Sequence, residues 1–374
     1  MRILIIASLS TSLRNFRGAL IEALCAAGHE VHCVAPDLLE DSATLDWLRA
    51  HNVACHDLKL ARAGLSITGD LRALMQMYRL MRRTNPDLVL AYTIKPVIWG
   101  MIAAWLARVP RRVALISGLG YAFVGEARGK RAVIRRLVSR LYKAALRRAT
   151  LVFFQNPDDR DDFTRWNILP KHSRVVLVNG SGVDTEHYHV ADLPDPPLRF
   201  LLIARLLRDK GIREYAEAAA CLRQKYPEAE FHLVGPLDPN PEAISEDDIL
   251  AWQRAGHLTW HGSLDDVRPA IAAAHVYVLP SYREGTPRSV LEAMSMGRPI
   301  ITTDAPGCRE TVRDGVNGYL VPARDAEALA AAMERFLLDP ERVALLGAEA
   351  RRIAVEKYDV HKVNAVMLKA MGVS

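Results

Sequence analysis

The chain has 374 residues, 50% hydrophobic, 25% charged and 7% aromatic, a balance that supports a large buried core and excludes disordered and collagen-like chains. Its net charge of +6 is unevenly spread: residues 1–180 carry 27 Lys/Arg against 14 Asp/Glu, and the remainder 22 against 29. A basic half joined to an acidic half predicts two lobes with different partners, the first partner being anionic. At about 100 to 200 residues per domain, two domains are expected. No apolar stretch reaches the ~20 residues of a spanning helix, and Met1 to Ala7 does not read as a signal peptide, so a cytoplasmic protein is expected. Five scattered cysteines (Cys25, Cys33, Cys55, Cys221, Cys308) without C-x-x-C spacing argue against disulfides and structural zinc, and are expected to be inert buried thiols.

In chain order, β-branched runs predict strands at Arg2 to Ala7, Glu30 to Ala35, Val53 to Leu58, Leu88 to Ala91, Arg112 to Ile116, Leu151 to Gln155 and Val175 to Val178. Helical patterns lie between most of them, the signature of a parallel sheet covered on both faces. Thr185 to Pro197, with three prolines and three acidic residues, reads as a linker. The scheme then restarts with Arg199 to Ala204 and continues at Glu230 to Val234, Leu258 to Trp260, Val276 to Pro280 and Pro299 to Thr302. No short internal repeat is obvious. Two doubly wound lobes are expected, with ligands at the carboxyl ends of the strands and in the cleft between the lobes.

The segment from Val276 to Pro299 is an apolar strand, a polar turn with Glu284 and Gly285, and a helix that could begin at Pro287 and contain Glu292. Such a unit aims backbone N–H groups and the positive helix end at an anion, with Gly285 allowing close approach. Carboxylates there suit hydroxyls rather than phosphate, so Glu284 and Glu292 read as holders of sugar or ribose oxygens. Taken alone, the two read more readily as a helix-capping carboxylate and a helix-surface glutamate. The second lobe opens with Ala204-Arg205-Leu206-Leu207-Arg208-Asp209-Lys210-Gly211 after its first strand, where Arg205 and Lys210 can meet a phosphate. A solvated loop with Arg208 paired to Asp209 is the alternative. Together the two segments favour a nucleotide-sugar pocket.

In the first lobe, Ser10, Thr11 and Arg14 follow the first strand and can donate to phosphate or acceptor, while Ser12 is equally a helix cap. Lys95 in Thr93-Ile94-Lys95-Pro96 reads as a cleft cation or as an exposed lysine of no consequence. From Ala127 to Ala149 there are nine cations and no anion, with Val133, Ile134, Leu137, Val138, Leu141 and Ala145 at helical spacing. This basic amphipathic stretch suits anionic lipid or a lipid diphosphate. Alternatively its apolar stripe packs on the sheet and its cations face water; a mixture of the two is expected. No aromatic-interleaved patch or recognised motif supports nucleic-acid binding.

The E-x7-E element Glu284/Glu292, the A-R-L-L-R-D-K-G element, Val178 to Asp184, Gly307 to Val312 and Asp314-Gly315-Val316-Asn317-Gly318 resemble the retaining family-4 glycosyltransferases. The resemblance implies the α/β GT-B fold, two Rossmann-like domains facing across a cleft: residues 1–190 for the acceptor, joined by a last helix in 354–374, and residues 191–353 for the nucleotide-sugar donor. It implies that Arg205 and Lys210 hold the donor diphosphate, Glu284 the sugar hydroxyls and Glu292 the ribose, and it makes Glu284, Arg205 and Lys210 the catalytic set. Backbone from Gly285 through Thr286 and Pro287 to Val290 would surround sugar and phosphates, with Gly262 near the base. The T-I-K-P and Ser117-Gly118-Leu119-Gly120 elements resemble the subgroup that extends polyprenyl-diphosphate-linked sugars in bacterial glycan assembly, which places Gly118 and Gly120 with the acceptor. Many members carry a histidine or aspartate near there; this chain does not, so no conventional base is assigned.

The expected activity is retaining transfer of a sugar, an N-acetylhexosamine in this subgroup, from a UDP-sugar to a hydroxyl of a polyprenyl-diphosphate-linked saccharide at the inner face of the plasma membrane. Neither a cofactor nor a metal is expected, because the cationic side chains and helix end do the work of a divalent ion. The alternatives are a nucleotide-sugar epimerase of similar fold and a membrane-surface nucleotide-binding module without activity.

Overall fold

Strands form at each of the predicted β-branched runs, within a residue or two of the expected bounds, and their pairing is parallel throughout. The computed structural model describes residues 1–61, 66–119, 123, 129–238, 240 and 242–373, without the side chains of Ile67, Lys130 and Arg131. The chain divides into two units, residues 1–181 with 361–374, and residues 182–360.

The first unit contains β1 (Arg2–Ile6), β2 (Glu30–Ala35), β3 (Ala54–Asp57), β4 (Leu88–Tyr92), β5 (Arg111–Ile116), β6 (Leu151–Phe154) and β7 (Val175–Leu177), in the order β3-β2-β1-β4-β5-β6-β7. Alternate residues of the apolar strands feed two cores, as a sheet covered on both faces requires. Ile3 and Ile5 meet Leu13, Leu20, Leu48, Val363 and Met367, whereas Leu4 and Ile6 meet Met77, Val97, Met101, Val138 and Phe163. The C-terminal helix Val360–Met371 thus belongs to the first core, through Val363, Met367 and Met371.

In the second unit, β8 (Arg199–Ile203), β9 (Glu230–Val234), β10 (Thr259–Trp260), β11 (Val276–Leu279), β12 (Ile300–Thr303) and β13 (Gly318–Val321) are ordered β10-β9-β8-β11-β12-β13. β13 was not predicted, because its first residue closes the D-G-V-N-G motif and reads as turn. Gly318 makes the pairing possible: a Cβ there would sit 1.8 Å from the Ile300 carbonyl oxygen.

Residues 182–190 and 354–360, assigned by sequence to the first domain, group with the second unit. Arg298, 1% exposed, donates to the carbonyls of Ala191 and Asp192 at 2.9 and 2.8 Å, and Arg351 donates to those of Thr185 and Ser295 at 3.0 and 2.8 Å. The stretch read as a linker is therefore clamped along its length to the second unit. The returning chain joins it, Val183 N–H donating to Tyr358 O (2.8 Å) and Val360 N–H to Val183 O (2.9 Å).

An internal likeness also emerges. In the first sheet Arg2 pairs with Glu30 (2.9 Å), His32 bonds Glu30 (2.9 Å), and the His32 Nδ1 meets His56 Nε2 at 2.9 Å. In the second, Arg199 pairs with Glu230 (2.9 Å), His232 bonds Glu230 (3.2 Å), and His232 Nδ1 meets His261 Nε2 at 3.0 Å. The registers agree: Arg2 is opposite Glu30 and His32 opposite Ala54, as Arg199 is opposite Glu230 and His232 opposite Thr259. Both chains run from the first strand to the edge of the sheet.

Candidate active site

The order of the second sheet reverses between β8 and β11, and open parallel sheets bind ligands at such a switch point, beyond the carboxyl ends of the strands. The loops after β8, β11 and β12 meet there. After β8 the chain turns through Arg208–Lys210 and Gly211 into the helix Ile212–Lys225. Gly211 has φ 71°, and a Cβ on it would lie 2.2 Å from the Pro280 carbonyl oxygen. After β11, Tyr282 N–H donates to Asp209 O (2.8 Å) and Glu284 N–H to Pro306 O (2.9 Å). Gly307, with φ 79°, supports the Glu284 backbone so closely that a Cβ would fall 2.0 Å from the Glu284 carbonyl oxygen. Two tight glycines, Gly211 and Gly307, thereby pack the loops after β8 and β12 against the loop that carries Glu284.

Lys210 Nζ contacts Glu284 Oε1 at 2.5 Å, with both side chains mostly buried. Burial works against the ammonium charge, but Glu284 and Asp209 outweigh it and raise the Lys210 pKa. Burial also raises the Asp209 carboxyl, partly offset by Lys210, and Asp209 Oδ1 has no hydrogen-bond partner among the described residues. Beneath Glu284 the buried Cys308 thiol is pushed up to about 12 by burial and then by the Glu284 charge, so it is inert as a nucleophile. Arg205 joins the group from the β8 loop and pairs with Asp238 of the β9 loop at 3.0 Å.

Thr286 donates to the Gly285 carbonyl (2.9 Å), and Pro287, in extended conformation, precedes the helix Arg288–Ser295, which has no side-chain cap. Amides in its first turn have no acceptor within the helix, and the positive helix end favours an anion. Val290 is buried, and Ser289 Oγ holds the helix to β8 by donating to Ile203 O at 3.2 Å. Gly262, beyond β10, has φ 68° and accepts from Gly235 N–H at 2.7 Å, with open space where a Cβ would lie.

Glu292 departs from the sequence reading of a carboxylate presented to hydroxyls. It is 7% exposed, receives Arg288 Nε at 2.8 Å one turn back, and interacts with the Tyr188 hydroxyl. Burial raises its pKa against the pull of Arg288. Arg205, Lys210, Glu284 and the 285–290 turn are brought together, and Glu292 is tied to that turn through Arg288 rather than presented openly to a ligand. Asp238 and Tyr188 were missed, and Asp209 was read only as a partner for Arg208; an acid in a loop after a strand was the available signal for Asp238.

In the first unit the order reverses between β1 and β4, and Thr93 Oγ1 donates to Ser8 Oγ across that point at 2.9 Å. Ser10 is 7% exposed and precedes the helix Thr11–Ala26 without capping it. With Thr44 it hydrogen-bonds Asp41, which holds that carboxyl below its ordinary pKa in spite of burial. Ser12 bonds Leu9 O at 2.6 Å and Tyr92 OH at 2.8 Å. Thr11 and Arg14 are exposed. Lys95 is neither exposed nor uncommitted: it pairs with Asp70 at 2.8 Å, the two side chains 12% and 8% exposed. Gly118, φ 122°, follows β5, and Gly120 lies outside the described residues.

The basic stretch forms the helix Lys130–Leu146. Val138 and Ala145 are buried, and Ile134 and Leu141 pack beside them, but Val133 and Leu137 are 65% and 42% exposed. Arg136, Arg140 and Arg147 are also exposed, whereas Arg135 and Arg148 stack on Trp166 and Trp105, at 5.0 and 4.4 Å from the ring centres. Arg128 lies outside the described residues. Among the described residues no helix is long and apolar enough to cross a membrane, and no group of three or more metal-ligating side chains occurs.

Comparison with known proteins gives the family and the fold. Residues 197–339 match the family described as Glycosyl transferases group 1, and residues 14–180 match the Glycosyl transferase 4-like domain. The chain belongs to these glycosyltransferases and has the GT-B fold. It is 28% identical over 359 residues to the N,N'-diacetylbacillosaminyl-diphospho-undecaprenol alpha-1,3-N-acetylgalactosaminyltransferase of Campylobacter jejuni, covering 92% of this chain and 91% of that one. It is 26% identical over 318 residues to the UDP-Gal:alpha-D-GlcNAc-diphosphoundecaprenol alpha-1,3-galactosyltransferase of Escherichia coli, covering 80% and 78%. Among solved structures, sucrose-phosphate synthase from Thermosynechococcus elongatus superposes with a TM-score of 0.82 at 21% identity, covering 99% and 98% of the two chains. Anabaena HepE in complex with UDP and glucose superposes at 0.75 and 19% identity, covering all of both.

Proposed function

We propose that this glycosyltransferase moves a sugar, an N-acetylhexosamine by preference, from a UDP-sugar to a hydroxyl of a polyprenyl-diphosphate-linked saccharide, with retention at the anomeric carbon. The observation that carries the reading is the contact of Lys210 with Glu284 at the switch point of the second sheet, beside an uncapped helix N-terminus. Arg205, Lys210 and the first-turn amides suit a diphosphate; the Glu284 carboxylate suits sugar hydroxyls. The names of the Campylobacter and Escherichia relatives, both transferases acting on diphospho-undecaprenol-linked sugars, support the acceptor class.

In the chemistry this implies, the bond from the anomeric carbon to the diphosphate oxygen breaks while the acceptor oxygen bonds to the same face of that carbon. The acceptor proton passes to the departing diphosphate oxygen, and Arg205 and Lys210 stabilise the charge that develops there. No side-chain nucleophile and no metal enter this scheme. Ser10, Thr11, Arg14, Gly118 and Gly120 of the first unit are assigned to the acceptor. Lys95 would act on it while paired with Asp70, its ammonium keeping two further donors, and Glu292 would reach ribose through acceptor sites that Arg288 leaves open. The exposed cations and apolar side chains of Lys130–Leu146 hold the protein on an anionic bilayer at the cytoplasmic face.

The test is incubation with a panel of UDP-sugars and polyprenyl-diphosphate-linked saccharides, with and without a chelator, and product analysis by mass spectrometry and anomeric NMR. An α-linked product from an α-linked donor, formed without metal, is expected. Conversion of the UDP-sugar without acceptor would replace the reading by epimerisation; no turnover and no UDP binding would remove it.

A further inference from the structure

Both cations assigned to the donor diphosphate are already engaged by carboxylates, Lys210 by Glu284 and Arg205 by Asp238. With Asp209 beside them, the group holds two positive and three negative side chains, a surplus of negative charge where an anion is expected. The Glu284 pairing belongs to the assigned site. Asp238 has no role in it and requires an explanation.

Its geometry is that of a fixed group facing a movable one. Asp238 Oδ1 accepts the Asn240 N–H at 3.0 Å, closing a turn within its own loop, and leaves Oδ2 for Arg205. The loop is latched by backbone bonds to the segment that carries Arg205: Leu206 N–H to Pro236 O (3.2 Å), Arg208 N–H to Glu242 O (3.0 Å) and Ile244 N–H to Leu206 O (2.8 Å). The Asp238 side chain is 15% exposed and that of Arg205 47%. When the pair opens, the guanidinium swings and the carboxylate stays.

Resting on the donor-site reading above, we infer that Asp238 is a built-in competitor of the donor diphosphate, holding Arg205 in the empty protein and taking it back as UDP leaves. The carboxylate lowers the affinity of the site for the nucleotide diphosphate product and so speeds its release. Because the competition is for a guanidinium, it acts on ligands that carry phosphate and leaves the nucleoside part untouched.

Asp238→Asn tests this with little disturbance, since the amide oxygen can still accept the Asn240 N–H. Calorimetry with inorganic pyrophosphate, UDP and uridine is run on the full-length wild type, on D238N, on Arg205→Ala and on the double variant, with thermal unfolding as a check on folding. The pair is partly exposed, so D238N should bind pyrophosphate and UDP about fivefold more tightly, with a lower UDP dissociation rate and unchanged uridine affinity. The gain should vanish in the R205A background. Unchanged or weaker pyrophosphate binding in D238N, or a gain that survives R205A, overturns the competitor role while leaving the donor site standing. A wild type that binds neither pyrophosphate nor UDP removes both.

Discussion

Lys210 and Glu284 show how one contact serves stability and chemistry, and how the two can be separated. Removing one partner strands a mostly buried charge, so Lys210→Ala should lower stability by about 2 kcal/mol, less than for a fully buried pair, and abolish UDP binding in calorimetry. The double variant Lys210→Met with Glu284→Gln should recover the stability and not the binding. Gly307 is the corresponding backbone case. Gly307→Ala adds a Cβ 2.0 Å from the Glu284 carbonyl at a positive φ, and should cost about 2 kcal/mol or more in chemical denaturation while weakening donor binding. Lys95, Arg205 and Glu292 were legible as candidates because charged side chains at strand ends and in the helices that follow are where a parallel sheet can meet a ligand. Their partners were not: Asp70 is 25 residues from Lys95, Asp238 is 33 from Arg205 and Tyr188 is 104 from Glu292, separations that only the folded sheet closes.

Among elements, the helix Lys130–Leu146 carries two faces that the sequence pattern merged into one stripe. Val133→Ser with Leu137→Ser should leave stability within about 0.5 kcal/mol, because both side chains are exposed, and should reduce cosedimentation with anionic vesicles. Val138→Ala, on the buried face, should cost about 2 kcal/mol and leave vesicle binding unchanged. Undiminished vesicle binding by the first variant would sink the membrane assignment. Helical spacing marks which positions are apolar; it does not say which edge of the apolar arc faces the neighbouring helix. β13 shows the opposite difficulty, a short strand whose opening glycine looks like turn until its neighbour's carbonyl is in place.

For the whole molecule, the two units were legible from the alternation of strands and helices, and their boundary was not. It depends on the buried Arg298 and the half-buried Arg351, whose acceptors lie in a segment rich in proline and acid that reads as a free connection. Histidines set a property shared by both units. His56 in the first, and His232 and His275 in the second, have pKa values lowered chiefly by burial. A lowered folded pKa means that the unfolded chain binds protons first, near its ordinary value of about 6.5, so stability is retained above that pH and lost as pH falls through the folded values. His275 is locked as a neutral ring, its Nδ1 accepting the Arg199 N–H at 3.1 Å and its Nε2 lying 3.0 Å from Pro194 O. The thermal midpoint should decline below about pH 6.5, and His275→Gln should flatten part of that decline. An invariant midpoint from pH 7.5 to 5 would contradict this.

The matching Arg-Glu-His-His chains put the two halves of the molecule in a common frame. Arg2-Ile3-Leu4-Ile5-Ile6-Ala7 and Arg199-Phe200-Leu201-Leu202-Ile203-Ala204 occupy the same strand, as do Glu30-Val31-His32 and Glu230-Phe231-His232. Residue type, register and hydrogen bonding agree at these positions. The halves differ at the turn after that first strand: one carries Arg205 and Lys210, the other the hydroxyls of Ser8, Ser10 and Thr11. Grafting the turn of one half onto the other is therefore a natural way to ask what each turn contributes to its own unit.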